Sequence, residues 1–167
     1  MGFGDTPPGK FVVGCEWIYK IKTRSDGSIE RYKTRLVAKG FTQEYGINYE
    51  ETFAPIAHIS YVRALLTVAA AASKWDLFQM DVKNVFLNGD LSEEVYMQPP
   101  PSLSVESNKV CHLQRALYGL KQASRAWFAK FSSTISRLGY MANHYDLPYF
   151  FVALTNALFY FFCIWMI

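Results

Sequence analysis

Cysteine is scarce in this sequence and lacks the spacing that metal sites and disulfide frameworks require. The 167 residues include three cysteines, Cys15, Cys111 and Cys163, which are odd in number, far apart and free of any C-x-x-C spacing. Disulfide-dense domains and structural zinc sites need paired or clustered cysteines. Both classes are therefore excluded, and a reduced intracellular setting is expected.

Simple repeats and a secretion signal are also missing. The first ten residues, MGFGDTPPGK, have no apolar core of signal-peptide length, so secretion is not predicted. No internal repeat or low-complexity tract precedes the C-terminal end. Apolar residues make up 51% of the chain and charged residues 19%, which excludes wholesale disorder, and the length favours one compact domain.

Acidic residues are absent from one basic segment and rare in another. The net charge is only +3, from 17 Lys and Arg against 14 Asp and Glu, and it identifies no partner by itself. Residues 109–137 hold six basic and no acidic side chains, and residues 20–39 hold seven basic and two acidic ones. This distribution favours a polyanionic ligand.

The first basic segment predicts a β-hairpin. Residues 10–22 are rich in Val, Ile, Trp and Tyr, residues 25–28 are turn formers, and residues 29–38 resume the strand pattern. Alternation with a period of two places the cations of the returning strand on one face, and the outgoing strand ends in two more. These cations are Lys20, Lys22, Arg31, Lys33 and Arg35. We expect a basic two-stranded ribbon, and the alternative is an ordinary solvated face.

The rest of the chain predicts a mixed α+β fold. A mostly buried helix is predicted over 61–74, with Ser60 as its N-cap, and an amphipathic helix over 122–138. Strands are predicted over 75–82 and 109–113, a short turn or helix over 85–91, and a turn at Tyr118 and Gly119. The strand over 75–82 is expected to lie in the core and to end at Asp81.

Charged residues are also absent after Asp146. The 21 residues from 147 to 167 are strongly apolar and long enough for a membrane helix, although Pro148, Thr155 and Asn156 make a poor one. A membrane-associated protein anchored through residues 147–167 is therefore one alternative function.

Asp81 is the candidate metal ligand. Mg²⁺ prefers oxygen ligands and is often held by one or two carboxylates at such a strand end. A lone Asp more often caps a helix or pairs with a base, so the neighbouring sequence has to decide.

The run from Asp81 to Leu91, DVKNVFLNGDL, resembles the first catalytic motif of copia-type retrotransposon reverse transcriptases, D-V-x-N-A-F-L-x-G-x-L. Five other stretches are similar to the same family in the same order. They are VGCEWIYKIK at 13–22, DGSIERYKTRLVAKG at 26–40, YEETFAP at 49–55, EVYM at 94–97 and LYGLKQASRAWF at 117–128. The resemblance covers about residues 7–146 and is too extensive for coincidence.

The resemblance implies the fingers and partial palm of an RNA-dependent DNA polymerase. It gives the fold as a β-hairpin, a partial antiparallel palm sheet and backing helices, over residues 10–146 after an N-terminal extension of residues 1–9. It implies Mg²⁺ as cofactor, an RNA or DNA template–primer and deoxynucleoside triphosphates as partners, and a cytoplasmic or nuclear location.

The resemblance also assigns candidate site residues. Lys22, Lys33 and Arg35 would grip the template or the incoming triphosphate through charge-assisted hydrogen bonds. Asp81 would be a catalytic, metal-binding aspartate. Phe86 would lie under the incoming sugar and exclude a 2′-hydroxyl, with ordinary core packing as the alternative. The pocket for nucleotide and template would be shaped by Gly119, Lys121 and Gln122.

One part of the family's chemistry is missing. Nucleotidyl transfer by two metal ions needs aspartates from separate strands, and the family supplies two of them from a Tyr-x-Asp-Asp hairpin. No Tyr-x-Asp-Asp occurs in these 167 residues. The expectation is a polymerase cut off after the partial palm and inactive alone, and the alternative is a non-catalytic nucleic-acid-binding fragment.

The genetic code offers an origin for the apolar tail. Trp165, Met166 and Ile167 must be encoded by TGGATGAT and one further base, and the shifted frame reads GAT GAT, which is Asp-Asp. The shifted frame also permits Tyr-Met before this pair, and it permits D-x-x-L-F over residues 146–150, beginning with Asp146 itself. We therefore interpret residues 147–167 as the product of a one-base deletion near the codon of Leu147.

Overall fold

The computed structural model describes residues 2–55, 59–68, 71, 81–106, 108–142, 149–154 and 157–162, and it has two compact units. The first unit comprises Met1–Phe53 and Val85–Trp127, and the second comprises Ala54–Asn84 and Phe128–Ile167. Helices and strands both occur in these described ranges, which confirms the α+β class.

A two-stranded antiparallel hairpin stands at the start of the first unit. It pairs β3 (Cys15–Thr23) with β4 (Ile29–Ala38). The turn closes because the Asp26 carboxylate accepts hydrogen bonds from the backbone N–H and the hydroxyl of Ser28, at 2.9 and 2.7 Å. The same bonds hold the pKa of Asp26 below its usual value. The predicted hairpin is confirmed.

The first unit also contains a four-stranded sheet in the order β1 (Gly2–Asp5), β6 (Lys109–Arg115), β5 (Asp90–Met97) and β2 (Val12–Val13). The sheet is mixed, because β1, β6 and β5 pair antiparallel whereas β5 and β2 pair parallel. The strand predicted over 109–113 is confirmed. Residues 2–5, predicted as part of an extension, form an edge strand, and Lys109 Nζ lies 2.9 Å from the Asp5 carboxylate.

Apolar side chains of the hairpin base, the sheet and the start of α2 (Ala123–Arg137) form the core of this unit. Met97 and Cys111, both 0% exposed, are its most completely buried members. Cys15 and Cys111 are free thiols, and burial raises the pKa of both. The two thiols therefore pack as small apolar side chains.

The two long helices match the prediction to different degrees. The helix predicted over 122–138 is confirmed by α2. The helix predicted over 61–74 corresponds to α1 (Ile59–Thr67), and Ser60 lies inside it, so the prediction that Ser60 is the N-cap is wrong. Among the side chains of α1 that the structure describes, only Val62 is buried, so the expectation of a mostly buried helix is wrong for this part.

The apolar stretch 147–167 contains strands. The second unit contains an antiparallel sheet of β7 (Met141–Ala142), β8 (Tyr149–Leu154) and β9 (Ala157–Phe162). The membrane-helix alternative is wrong for β8 and β9, which are strands, and their many aromatic residues favour extended backbone. No helix in the described part of the chain has both the length and the apolar character needed to cross a membrane.

Candidate functional site

One face of the hairpin carries five cations. In the register of β3 and β4, Ile18 lies opposite Arg35, Lys20 opposite Lys33 and Lys22 opposite Arg31. Residues at every second position of a strand, and their directly paired partners, point to the same side of the sheet. The basic face is therefore confirmed as a single surface, and it consists of Lys20, Lys22, Arg31, Lys33 and Arg35.

Like charges face each other across the hairpin. Like charges placed directly opposite each other destabilise an antiparallel pair. Here two successive cross-strand pairs, Lys20 with Lys33 and Lys22 with Arg31, combine like charges. A bound polyanion would reduce the repulsion within these pairs.

The basic face ends at a stack of three side chains. The Arg35 guanidinium lies over the ring of Tyr118, with Cζ 5.2 Å from the ring centroid. The Tyr118 ring meets the Phe86 ring edge to face, with the centroids 4.9 Å apart and the planes at 76°. Two residues that the resemblance singled out, Arg35 and Phe86, are thus brought together by a third. Tyr118 was predicted only as a turn residue, although it stands in the LYGLK run.

Phe86 is placed by a short 3₁₀ helix. The predicted turn or helix over 85–91 is confirmed by the 3₁₀ segment Val85–Asn88, which precedes β5. The Phe86 side chain is half-buried and packs against the core cluster, so both the packing and the sugar-facing interpretation remain compatible with its position.

The turn that carries Tyr118 and Gly119 is locked against the end of β4. The Ala38 N–H donates to the Tyr118 carbonyl at 2.7 Å. Gly119 has a φ of 92°, and a Cβ atom at this position would overlap the Ala38 carbonyl oxygen. On the other side, a Cβ at Gly40 would overlap the Gly119 carbonyl oxygen. Two backbone segments meet here at a distance that only glycine allows.

A buried amide pair supports the same turn from inside. The Gln43 side chain donates from Nε2 to Gln122 Oε1 at 3.2 Å and accepts at Oε1 from the Lys121 N–H at 3.0 Å. Gln122 Nε2 donates to the Asn48 carbonyl at 3.2 Å, and the Gln122 side chain is only 2% exposed. Gln122 therefore shapes the turn from behind, while the Lys121 side chain is exposed. No local sequence signal indicated Gln43.

Asp81 belongs to the second unit, and its carboxylate-bearing side chain is exposed. Residues 75–80 of the strand predicted to deliver it lie outside the described residues. No three His, Cys, Asp or Glu side chains come together as a metal-binding group within the described ranges. The described residues thus offer Asp81 as a single ligand and do not fit a complete two-metal centre.

Comparison with known proteins identifies the family. A family model described as reverse transcriptase (RNA-dependent DNA polymerase) matches residues 3–154. The chain belongs to this reverse transcriptase family. The match begins before and ends after the stretch of about residues 7–146 that carries the recognised motifs, and it includes both Arg35 and Phe86.

Retrotransposon polyproteins are among the similar proteins. The Retrovirus-related Pol polyproteins from transposons RE2 and RE1 of Arabidopsis thaliana are 42% identical over 157 residues and 45% identical over 141 residues, which are 92% and 83% of this chain. The Pol polyprotein from transposon TNT 1-94 of Nicotiana tabacum is 42% identical over 144 residues, or 85% of the chain. The copia-type resemblance is confirmed.

The reverse transcriptase segment described here is short beside these relatives. It spans about a tenth of their length, with 11% of the RE2 polyprotein, 10% of the RE1 polyprotein and 11% of the TNT 1-94 polyprotein covered. The search of solved structures finds no match.

Proposed function

We propose that this chain forms the nucleotide- and template-binding part of a retrotransposon reverse transcriptase, comprising the fingers and part of the palm. The observation that carries the proposal is the convergence of Arg35, Tyr118 and Phe86 at the end of the basic face. Cations that lead to a half-buried aromatic ring suit a nucleotide, which has a phosphate chain at one end and an apolar sugar edge beyond it.

Each predicted residue has a place in this proposal. Lys22, Lys33 and Arg35 bind phosphate oxygens from the basic face, and Phe86 excludes a 2′-hydroxyl from the sugar position. Gly119 lets the backbone approach the nucleotide, and the exposed Lys121 side chain contacts the template. Gln122 acts indirectly, since both ends of its amide are engaged inside the unit.

We expect the purified chain to bind a template–primer through the basic face. Affinity should fall steeply with salt, because bound cations displace condensed counterions. Lys33→Gln should weaken binding several-fold and reduce the salt slope by about one. Fluorescence anisotropy with a labelled oligonucleotide duplex measures both quantities, and Arg63→Gln, in exposed α1, is the control of equal charge. Equal losses in the two variants would contradict specific use of the basic face.

We expect these residues alone to be unable to extend a primer. A two-metal centre needs several converging carboxylates, whereas the described residues provide Asp81 without such a cluster. A primer-extension assay with Mg²⁺ and all four deoxynucleotides should show no product, beside a complete enzyme of the family as positive control. Synthesis that is lost on Asp81→Ala would refute this expectation.

A second candidate function is non-catalytic nucleic-acid binding. The absence of a carboxylate cluster from the described residues favours it, and the basic face would serve it equally well. Nucleotide binding separates the two, because a phosphate-tracking binder needs no sugar pocket at Phe86. The test measures the binding of dATP in the presence of competing ATP. A preference for dATP supports the polymerase-derived site, and the lack of any preference between the two nucleotides supports the simple binder.

We also propose that residues 1–9 are an extension of the reverse transcriptase domain, and that the stretch from 147 onward derives from a frameshift. The codon constraint on Trp165, Met166 and Ile167 supports the second part, since it allows Asp-Asp in the shifted frame whatever codons are used. Sequencing the locus tests it. A downstream frame that encodes the rest of a polymerase is expected, and an intron junction at Asp146 would overturn the interpretation.

A further inference from the structure

Tyr118 connects the two halves of the proposed nucleotide site. Its ring lies beneath the Arg35 guanidinium on one side and against the Phe86 ring on the other. The side chain is half-buried, so part of its surface remains available to a ligand. Neither the motif resemblance nor the family match assigns a role to this residue.

The backbone around Tyr118 fixes where its ring can lie. The Tyr118 carbonyl accepts the Ala38 N–H at 2.7 Å, and the neighbouring Gly119 sits in a tight contact with β4. Two residues further on, the Lys121 N–H is held by the Gln43 side chain at 3.0 Å. A ring that is anchored on both sides along the chain is a stable surface for its neighbours to pack on.

We propose that Tyr118 is a specificity-determining positioning residue for the sugar and the phosphates of the bound nucleotide. This inference rests on the proposed function, because it assumes that Phe86 faces the sugar and Arg35 the phosphates. The edge-to-face contact holds Phe86 in the orientation that collides with a 2′-hydroxyl. The cation–π contact holds Arg35 over the phosphate path.

Removal of the Tyr118 ring has two consequences that can be separated. Without its edge-to-face neighbour, Phe86 gains rotamer freedom and can swing away from a ribose hydroxyl. Arg35 loses its platform, and its guanidinium explores more orientations for each hydrogen bond that it forms. The first effect changes the preference for the sugar, and the second changes the affinity for phosphate in general.

The experiment measures three affinities of the complete chain, for dATP, ATP and inorganic tripolyphosphate, by isothermal calorimetry. Tyr118→Leu removes both ring contacts, Tyr118→Met keeps similar volume without a flat ring, and Tyr118→Phe keeps the ring. Tyr45→Leu is the control, because Tyr45 is also in the first unit, is 75% exposed and contacts Tyr49 instead. Thermal unfolding of each variant reports whether the fold is retained.

We expect Tyr118→Leu and Tyr118→Met to narrow the preference for dATP over ATP by about tenfold and to weaken tripolyphosphate binding several-fold. Tyr118→Phe and Tyr45→Leu should retain both the preference for dATP over ATP and the affinity for tripolyphosphate. A merely structural role would lower all three affinities together and leave the dATP to ATP ratio unchanged.

The outcomes separate this inference from the function on which it rests. An unchanged ratio in a folded Tyr118→Leu or Tyr118→Met variant overturns the role of Tyr118 and leaves the nucleotide site standing. If the unmodified chain binds neither dATP nor tripolyphosphate, the proposed function fails and the inference fails with it. Should Tyr118→Leu not fold, Tyr118→Met gives the decisive ratio.

Discussion

Gly119→Ala is expected to destabilise the first unit by about 4 kcal/mol, which is a large share of the stability of a domain of this size. Two effects combine at this position. Gly119 has a φ of 92°, which residues with a Cβ atom rarely adopt, and the added Cβ would overlap the Ala38 carbonyl oxygen. The clashing atom belongs to the backbone, so no side chain can simply move aside.

The clash would also disturb the proposed nucleotide site. Ala38 cannot retreat without losing the 2.7 Å hydrogen bond from its N–H to the Tyr118 carbonyl, and Tyr118 carries the contacts to Arg35 and Phe86. We therefore expect a variant that remains folded to bind nucleotide and template–primer more weakly as well. Loss of stability and loss of binding should appear together.

Gly27→Ala is the matched control. Gly27 has a similar φ of 83° in the hairpin turn, but a Cβ there meets no atom within 4 Å. Gly27→Ala should lower the free energy of unfolding by only about 1–2 kcal/mol, because its one cost is the positive φ. Thermal and urea unfolding of both variants measure the difference in stability. The midpoint temperature of Gly119→Ala should lie about 10 °C below that of Gly27→Ala. Equal destabilisation of the two would show that the close approach at Gly119 contributes nothing.

The elements that sequence predicted well are those that local patterns determine. The hairpin is specified by alternation in its strands and by Asp26 and Gly27 at the turn, all within 24 consecutive residues from Cys15 to Ala38. The positions of Phe86 and of the Tyr118–Gly119 turn were likewise indicated by short motifs. These signals need no knowledge of which distant segments meet.

The features that sequence missed depend on distant or competing interactions. Gln43 pairs with Gln122, which lies 79 residues away, and nothing near either residue announces a buried amide pair. The edge strand Gly2–Asp5 includes two glycines, which disfavour strands, and it forms by pairing with β6. In the apolar tail, overall hydropathy suggested a helix, whereas the aromatic content of β8 and β9 was the better signal.

The candidate site residues also divide into those that local patterns predicted and those that depend on distant contacts. The period-two alternation correctly grouped Lys33 and Arg35 on one face, because strand geometry fixes that result. The connection of Arg35 to Phe86 through Tyr118 could not be read from the sequence, since it requires three separate segments to converge. The metal-binding role of Asp81 stays a prediction.

Reversing two charges on the basic face should move stability and binding in opposite directions. In Lys20→Glu/Lys22→Glu, the repulsive pairs with Lys33 and Arg31 become attractive cross-strand pairs. Such pairs contribute roughly 0.2–1 kcal/mol each, so we expect the free chain to gain about 1 kcal/mol of stability. Affinity for a template–primer should fall about 100-fold near 0.1 M salt, because two cationic contacts are replaced by two repulsive ones.

Opposite changes in stability and in affinity distinguish a ligand-binding surface from a structural one. Lys20→Gln/Lys22→Gln is the matched variant, since it removes the repulsion without creating new ion pairs and should lie between the parent and the reversed variant in both measurements. Urea unfolding gives the stability, and anisotropy titrations at several salt concentrations give the affinity and its slope. If both substitutions lowered stability, the cations would be supporting the hairpin itself. If both left affinity unchanged, nucleic acid would not bind this face. The opposed pairs Lys20–Lys33 and Lys22–Arg31 therefore cost the free hairpin stability, and a bound polyanion would relieve that repulsion.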